Sequence, residues 1–183
     1  MQGLWHETFH CWFVSKIGDS NYIYLQIRSD SKKDYPNLLD ITAAGHLLAN
    51  ETVRDGTREI QEELGIQVLY NELISLGIIK DCIINDSFID KEMAHVFLYL
   101  CDHSFNRFVF QEEEVSGMVR VDFDSFCELL TGKRDEVRVT GYGVTKKGKR
   151  VPIDKMVTVT QFVPHQMSYC ESIIQSISKK IKA

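Results

Sequence analysis

One segment of the chain, Thr52 to Leu64, carries a helical repeat of apolar residues, which restricts what the surrounding sequence can fold into. The apolar residues recur at the spacing of one helix face: Val53, Ile60 and Leu64. Thr52 with Asp55 three positions later fits an N-terminal capping box, and Gly65 stands where a left-handed C-terminal cap belongs. The pattern predicts a helix from Thr52 to Leu64 that covers an apolar surface supplied by the rest of the chain.

The same segment carries three glutamates on a second face. Glu59, Glu62 and Glu63 stand at positions i, i+3 and i+4, which places them within an arc of roughly 100°. Like charges at this spacing weaken an isolated helix, so a bound cation explains them best. Carboxylate oxygens on a rigid element suit Mg²⁺, with Mn²⁺ as the alternative ion. A solvated acidic face is the alternative interpretation.

Residues around the glutamates favour a cation site. Arg58 lies beside Glu59 and one turn from Glu62, where it can pair with a carboxylate and fix its rotamer. Gly56 within a helix costs about 1 kcal/mol relative to Ala, which indicates that another backbone approaches closely there. Gly45 precedes the helix in a loop, and a glycine-containing loop lets backbone groups reach a phosphate or a metal.

The remainder of the chain consists mainly of predicted strands. Apolar and alternating runs predict strands at Glu7–Ser15, Tyr22–Arg28, Ile66–Ile84, Glu92–Cys101, Val119–Phe123, Val137–Thr145 and Met156–Val163. Two more helices are predicted, one capped by Asp124 and running to about Thr131, and one at Ser168–Lys182. The pattern favours an α/β fold of the α+β type, a mixed sheet covered by helices, in one domain over residues 1–183.

Composition limits the partners of the chain. Its 183 residues carry a formal net charge of -5, which argues against nucleic acid, because phosphate backbones require an excess of Lys and Arg. A small phosphorylated substrate is compatible, since a metal ion can neutralise it locally. No signal-peptide pattern or membrane-spanning apolar run is found, so we expect a cytoplasmic protein with no membrane partner. A homodimer is compatible with the sequence.

The stretch from Gly45 to Ile66 resembles the Nudix box, whose pattern is Gly-x5-Glu-x7-Arg-Glu-apolar-x-Glu-Glu-x-Gly-apolar. The matching residues are Gly45 and Glu51 in the first part and Arg58, Glu59, Ile60, Glu62, Glu63, Gly65 and Ile66 in the second. The resemblance implies the Nudix fold, an α/β/α sandwich around a mixed sheet, and metal-dependent hydrolysis of a diphosphate linkage. It also implies that Glu59, Glu62, Glu63 and Gly45 hold the metal, while Arg58 orients a ligand glutamate.

The box departs from the family pattern at one point. Six residues rather than seven separate Glu51 from Arg58, and counting back from Arg58 would put Asn50 and Ala44 at the first two positions. The junction between loop and helix is therefore shortened by one residue. The glutamate cluster is unaffected because it lies within one helix. The role of Glu51 is left open; the resemblance implies that this position supports the loop.

Three segments resemble type I isopentenyl diphosphate isomerases, which share the Nudix fold. The segments are LWHETFHCWFV, AAGH at Ala43–His46 and EMAHVF at Glu92–Phe97. The resemblance implies metal ligands at His6 and His46 and a functional glutamate at Glu92. Packing or hydrogen bonding is the alternative role for each histidine. Ala44 occupies the position of the isomerase cysteine, so the resemblance is to a branch that lacks the isomerase thiol.

A fourth carboxylate is expected to act as the general base, and two candidates compete. Glu92 lies on a predicted strand, which would position it rigidly, whereas Glu114 lies in an acidic loop that could close over substrate. We place Glu92 first and Glu114 second. The predicted function is metal-dependent hydrolysis of a nucleoside-diphosphate-type or related phosphorylated compound. The alternatives are an isopentenyl diphosphate isomerase-like enzyme and a non-catalytic ligand-binding module.

Overall fold

The computed structural model describes residues 3–84 and 89–182, and in these residues nine strands join one sheet. The strands are Trp5–Ile17 (β1), Ser20–Arg28 (β2), Leu39–Asp40 (β3), Ala43–His46 (β4), Ile74–Ile84 (β5), Ile89–Leu100 (β6), Val115–Asp122 (β7), Glu136–Val144 (β8) and Arg150–Thr158 (β9). Their order is β5-β6-β1-β2-β7-β8-β9, with β3 paired to β2 and β4 to β1. β1 and β6 run parallel and the other pairs are antiparallel, which confirms the predicted mixed sheet.

Helices cover both faces of this sheet. They are Thr57–Leu64 (α1), Phe123–Leu130 (α2) and Met167–Ile181 (α3). Alternation along β1 separates the two cores: Phe9, Cys11 and Phe13 pack in the core that contains α1, while Trp12 and Val14 pack in the core that contains α2 and α3. The α/β/α sandwich is therefore confirmed. No helix in the described ranges is long and apolar enough to cross a membrane.

The first helix begins later than its sequence pattern predicts. Thr52 and Asp55 interact, with the Thr52 N–H donating to Asp55 Oδ2 at 2.8 Å, but they belong to a turn that precedes α1. Gly56 is the N-cap, and a Cβ there would lie 2.6 Å from the ring of Phe9. The close approach predicted at Gly56 is thus made by an aromatic ring, and the prediction of a second backbone is wrong. Gly65 ends the helix at φ 68°, as predicted.

Two strand predictions are displaced along the chain. The strand predicted to start at Ile66 starts at Ile74, because the intervening residues form a loop with a short helical turn at Tyr70–Glu72. The strand predicted at Met156–Val163 is instead Arg150–Thr158, since β9 pairs with β8 along that whole length. Both displacements arise where apolar residues continue into a loop that packs on the core.

The start of α2 also differs from the prediction. Asp122 rather than Asp124 is the N-cap, and its Oδ1 accepts the N–H of Ser125 at 2.9 Å. The strand before it, predicted from Val119, already begins at Val115. Asp122 ends that strand and starts the helix, so the connection between the two elements needs no loop.

His165 ties the segment before α3 to the sheet. Its Nε2 donates to Asp40 Oδ1 at 2.9 Å and its Nδ1 to Asp81 Oδ2 at 2.5 Å. Although burial opposes the charged ring, these hydrogen bonds raise the pKa of His165 to about 10. Burial favours the neutral acid at Asp40, yet His165 and Arg28 lower the pKa of that carboxyl to about 2. The cluster is therefore a largely buried imidazolium held between two buried carboxylates.

We expect this cluster to stabilise the fold in a limited pH range. The folded pKa of His165 lies above its ordinary 6.5, so its contribution is full below that pH and lost as the pH rises towards 10. His165→Gln leaves the buried Asp81 without its cation and Asp40 with Arg28 alone, and should lower the free energy of unfolding by about 3 kcal/mol or more at pH 6. Urea unfolding at pH 6, 8 and 10 should show this difference shrinking as the pH rises.

The control for this measurement is the exposed ion pair between Arg138 and Asp154, whose Nη2 and Oδ2 lie 2.6 Å apart. Arg138→Gln should change stability little at all three pH values, because solvent screens the pair and arginine stays charged. A difference for His165→Gln that stays constant from pH 6 to 10 would contradict a charged His165.

Candidate functional site

The three glutamates of α1 are not equally exposed. Ile60 and Leu64 are buried against the sheet and orient the helix. The side chain of Glu62 is 52% exposed, that of Glu59 is 13% exposed, and Glu63 as a residue is only 5% exposed. The acidic stripe therefore runs from solvent into the protein, which is unlike the solvated face that was the alternative interpretation.

The backbone of β4 lies directly against two of these carboxylates. The Ala44 N–H donates to Glu63 Oε2 at 3.1 Å. A Cβ at Gly45 would overlap the carboxylate of Glu59, so a side chain there would displace that glutamate. Pairing with β1, which sets Gly45 opposite Phe9, holds the strand in this position. Gly45 therefore lies in β4 and not in the loop expected from the sequence, and its close neighbour in the structure is Glu59.

Crowding and burial make the inner carboxylates hard to charge. Burial raises the pKa of Glu63 well above its usual range, and the charges of Glu59 and Glu114 raise it further. Burial also raises the pKa of Glu59, although Arg58 opposes the shift. A positive charge placed beside these two carboxylates would therefore favour their charged forms.

Arg58 stands at the centre of an ion-pair network between the helix and the loop before it. Its Nη1 lies 2.7 Å from Glu59 Oε1 and 3.1 Å from Glu62 Oε2, as the helical spacing predicts. Its Nε and Nη2 donate to the two carboxylate oxygens of Glu51 at 2.6 and 3.1 Å. Nη2 also donates to the backbone oxygen of His46 at 3.1 Å. These contacts engage Nε, Nη1 and Nη2 of Arg58 with oxygen atoms of this chain.

Glu51 supports the loop that leads into α1. Besides pairing with Arg58, its carboxylate accepts the N–H of Leu48 at 2.8 Å. These hydrogen bonds hold the pKa of Glu51 at about 2. The pairing forms although the junction is one residue shorter than the box pattern, because residues 53–56 form a turn before α1 begins. The sequence left the role of Glu51 open, and in the structure Glu51 forms an ion pair that supports this loop.

Glu92 belongs to a second group of polar side chains, on β1, β4 and β6. The ring nitrogens of His6 and His46 and a carboxylate oxygen of Glu92 lie within 4.8 Å of one another, a separation that could admit a metal ion. The rings of His6 and His46 stack with centroids 4.8 Å apart. Glu92 Oε2 also lies 3.2 Å from His10 Nε2. Burial opposes the charge of Glu92, yet His10 and His165 hold its pKa below the usual range.

Glu114 is the second candidate for the general base. It directly precedes β7, and its carboxylate forms an ion pair with Lys32 Nζ. Its charge acts on Glu63, whereas the titratable neighbours of Glu92 include His6, His10, His165, Asp81 and Asp90. Of the two candidates, Glu114 is the one in electrostatic contact with the glutamates of α1.

A single cavity of about 800 Å³ brings these groups together. Its lining includes most of the site residues predicted from the sequence: Gly45, His46, Arg58, Glu59, Glu62, Glu63, Glu92 and Glu114. His6, the other predicted histidine ligand, is not part of this lining. The lining also includes polar residues that the sequence did not single out: His10, Arg28, Lys32, Lys33, Asp40 and His165. His10 could have been found, because strand alternation puts it on the face of His6. The others lie in loops or at strand ends, where no periodicity marks them.

Known proteins of similar sequence identify the family of this chain. No protein-family model matches the chain. The chain is 35% identical over 176 residues to an uncharacterized Nudix hydrolase of Clostridium acetobutylicum, and the match covers 96% of this chain and 85% of that protein. This chain is a member of the Nudix hydrolase family. Nudix hydrolase 3 of Arabidopsis thaliana is 31% identical over 134 residues, which is 70% of this chain and 17% of that protein.

A solved structure supports the fold of this Nudix hydrolase. A MutT protein from Methanosarcina mazei superposes with a TM-score of 0.59 at 13% sequence identity, covering 100% of this chain and 99% of that one. Family membership makes the chain a Nudix-type pyrophosphohydrolase. The resemblance to isopentenyl diphosphate isomerases stays a prediction, as do the roles of individual site residues.

Proposed function

We propose that this Nudix hydrolase cleaves a diphosphate linkage with Mg²⁺, or Mn²⁺ in its place, held by Glu59, Glu62 and Glu63. The observation that carries the proposal is the crowding of Glu59 and Glu63 against the backbone of β4. Two carboxylates in such a place require a cation, and all-oxygen ligands suit these ions. The backbone carbonyl of Gly45 is proposed as a further ligand, because Gly45 is the residue in contact with Glu59.

The ion supplies the positive charge that neutralises the diphosphate and activates water for attack on phosphorus. Arg58 keeps Glu59 and Glu62 in place through its paired nitrogens, so that less reorganisation is needed when the ion binds. Glu51 holds Arg58 in turn. A further carboxylate accepts the proton of the attacking water.

Glu114 is better supported than Glu92 as that proton acceptor, which reverses the order favoured by the sequence. The charge of Glu114 acts on the α1 glutamate Glu63, so the two carboxylates share one electrostatic environment. The carboxylate of Glu92 is engaged by His10 and lies with His6 and His46. Glu92 is therefore proposed as a ligand or orienting group at the other end of the cavity.

The cavity favours a substrate of the nucleoside-diphosphate type or a related phosphorylated compound. Arg28, Lys32 and Lys33 supply positive charge to its lining, in addition to any metal ion. The cavity volume of about 800 Å³ leaves room for a group attached to the diphosphate. Isomerase chemistry is disfavoured because no cysteine is found among the described residues that line the cavity. Cys11 is buried in the core beneath α1, and burial raises the pKa of its thiol well above the usual range.

A phosphate-release assay on a panel of diphosphate compounds tests the proposal. The panel includes nucleoside diphosphate derivatives, sugar nucleotides, dinucleotides and isopentenyl diphosphate, each with Mg²⁺, with Mn²⁺ and with excess chelator. We expect hydrolysis of at least one compound with a metal, none in chelator, and no dimethylallyl isomer from isopentenyl diphosphate. Activity that survives the chelator would contradict the proposed metal requirement. Binding without turnover of any compound would favour the non-catalytic ligand-binding module.

A further inference from the structure

A shallow groove of about 400 Å³ lies on β7, β8 and β9, apart from the cavity that contains the α1 glutamates (the glutamate cavity). Its lining includes Phe105, Arg120, Thr140, Tyr142, Arg150 and Pro152. Among the described residues, the linings of the groove and of the glutamate cavity have no member in common. Arg120 lies opposite Tyr24 in the sheet, which places the groove on the face that α1 covers elsewhere. A molecule in this groove would therefore meet a separate set of residues.

The loop of residues 105–108 supplies one wall of the groove, and hydrogen bonds fasten this wall to the sheet. The Tyr142 hydroxyl hydrogen is shared between the backbone oxygens of Phe105 and Phe108, at 3.0 and 3.1 Å. Arg150 Nη2 donates to the backbone oxygens of Asn106 and Phe108 at 3.1 and 2.8 Å. The wall is therefore in place before a ligand binds, so binding costs little ordering of the loop.

Both arginines of the groove lie against aromatic rings. Arg120 Cζ is 5.4 Å from the ring centroid of Phe105. Arg150 Cζ is 4.6 Å from the ring centroid of Tyr142. Such cation–π contacts use the flat face of a guanidinium, whereas ion pairs use its N–H donors. Burial raises the pKa of Tyr24 and Arg120 partly opposes the shift, so this neutral hydroxyl is a partner of Arg120. A guanidinium has five N–H donors, so Arg120 keeps donors for another molecule.

Neither arginine of the groove forms an ion pair with a carboxylate in the part of the chain that the structure describes. Elsewhere in the chain, carboxylates pair with Arg28, Arg58, Arg134 and Arg138. Because arginine is always charged, Arg120 and Arg150 place two positive charges in one groove of a chain whose formal net charge is -5. The turn that leads into Arg150 adds the exposed Lys147 and Lys149. The groove therefore attracts anions.

The lining of the groove suits an anion that carries a planar ring. Arginine binds phosphate oxygens through paired N–H donors. The volume of about 400 Å³ is in the range of sites for small organic molecules, and it is more than a bare phosphate ion requires. Phe105, Tyr142 and Pro152 supply apolar surface beside the guanidiniums, and nucleobases stack on aromatic rings and on guanidinium planes. A nucleoside monophosphate combines the phosphate and the ring in one small molecule.

We propose that this groove is a second ligand site, which binds a nucleoside monophosphate. Arg120 and Arg150 bind the phosphate, and the apolar surface around Phe105 supports the base. Binding makes and breaks no covalent bond. The proposal goes beyond the proposed function, because a ligand in the groove requires neither a metal ion nor the glutamates of α1. Binding at this site can therefore be measured without hydrolysis.

Calorimetric titration of the full chain with adenosine 5′-monophosphate, in excess chelator, tests the site. We expect the wild type to bind this compound, and to bind adenosine and inorganic phosphate more weakly, since each lacks part of the proposed contacts. Arg120→Gln should weaken binding about 10-fold or more, the effect of losing a hydrogen bond to a charged group. Thr140→Glu should also weaken it, because Thr140 lies opposite Arg120 in the sheet and the new carboxylate can pair with this arginine.

Two control variants each remove one positive charge outside the groove. Arg138→Gln changes an arginine of β8 that pairs with Asp154, and Lys33→Gln changes a residue of the glutamate cavity. Each should leave the affinity within about twofold of the wild type, because a distant exposed charge is screened by solvent. Circular dichroism of each variant verifies that it is folded.

Four results would overturn the proposal. The first is no binding of adenosine 5′-monophosphate by the wild type, and the second is unchanged affinity in Arg120→Gln and Thr140→Glu. The third is a loss in Lys33→Gln as large as that in Arg120→Gln, which would place the ligand in the glutamate cavity. The fourth is equal affinity for inorganic phosphate, which would contradict recognition of a nucleoside.

Discussion

Replacing Glu63 with Gln should reduce metal-dependent hydrolysis by at least about 100-fold, above the roughly 10- to 100-fold range for loss of a group that only supports a metal ligand. The same substitution should raise the stability of the metal-free protein. Glu63 is buried, and among the described residues the Ala44 N–H is the hydrogen-bond donor to its carboxylate, so the neutral amide avoids the burial of a charge. Activity and stability are thus expected to change in opposite directions.

The pH dependence of this stability change has a definite sign. The folded pKa of Glu63 lies above its ordinary 4.5, so the wild type loses stability as the pH rises above that value, and Glu63→Gln does not. The gain in Tm should therefore be larger at pH 8 than at pH 5, at about 2–4 °C for each kcal/mol. Thermal unfolding in chelator and turnover in Mg²⁺ measure the two effects.

Glu62 provides the matched control, because it lies on the same helix but is half exposed. Glu62→Gln should lower activity without the gain in Tm, since no buried charge is removed. Full turnover by a folded Glu63→Gln protein would contradict a role for Glu63 at the metal. A loss of Tm in that variant would instead show that its carboxylate stabilises the metal-free fold.

Gly45→Ala should be the most damaging substitution of a residue that has no functional side chain. The added Cβ overlaps the carboxylate of Glu59, and β4 is held by its pairing with β1, so Glu59 must move. A displacement of about 1 Å in a catalytic arrangement costs roughly 100-fold in rate. Overpacking at such a position also costs about 1–3 kcal/mol of stability. Kinetics in Mg²⁺ and urea unfolding measure the two losses.

Gly143 in β8 is the control for this substitution. A Cβ there has its nearest contacts at 3.5 Å, and its φ is not in the positive range, so Gly143→Ala should be tolerated. If Gly45→Ala alone is impaired, the damage comes from the contact with Glu59 and not from loss of a strand glycine. Near-normal activity of Gly45→Ala would show that Glu59 can move without consequence and is not a required ligand.

Helix α1 and its carboxylates could be predicted because the residues that determine them are close together in the sequence. Apolar spacing, the cap at Gly65 and the ion pairs of Arg58 all depend on residues within a few turns. The start of the helix could not be located in the same way. Thr52 and Asp55 form a turn before α1, and such a turn has the same sequence signal as a capping box at the start of a helix. Only the packing of Phe9 on Gly56 distinguishes the turn from the capping box.

Burial of the site residues could not be predicted from periodicity. The helical spacing puts Glu59, Glu62 and Glu63 on one stripe, but whether that stripe faces solvent depends on where β4 docks. The contact of Lys32 with Glu114 and the cluster around His165 join residues far apart in the chain. Neither has a sequence motif, because each arises from which loops the sheet order brings together.

The parallel pairing of β1 with β6 has a consequence for how the enzyme folds. It sets His6 opposite Glu92 over a long stretch of intervening chain, whereas α1 and β4 are neighbours in sequence. Contacts between distant residues form slowly because a large loop must close first. A slip of one residue in this register would turn Glu92 to the other face of the sheet. The acidic helix can therefore form in a chain that is not yet active, because the part of the cavity that contains Glu92 is completed only when this long-range strand pairing forms.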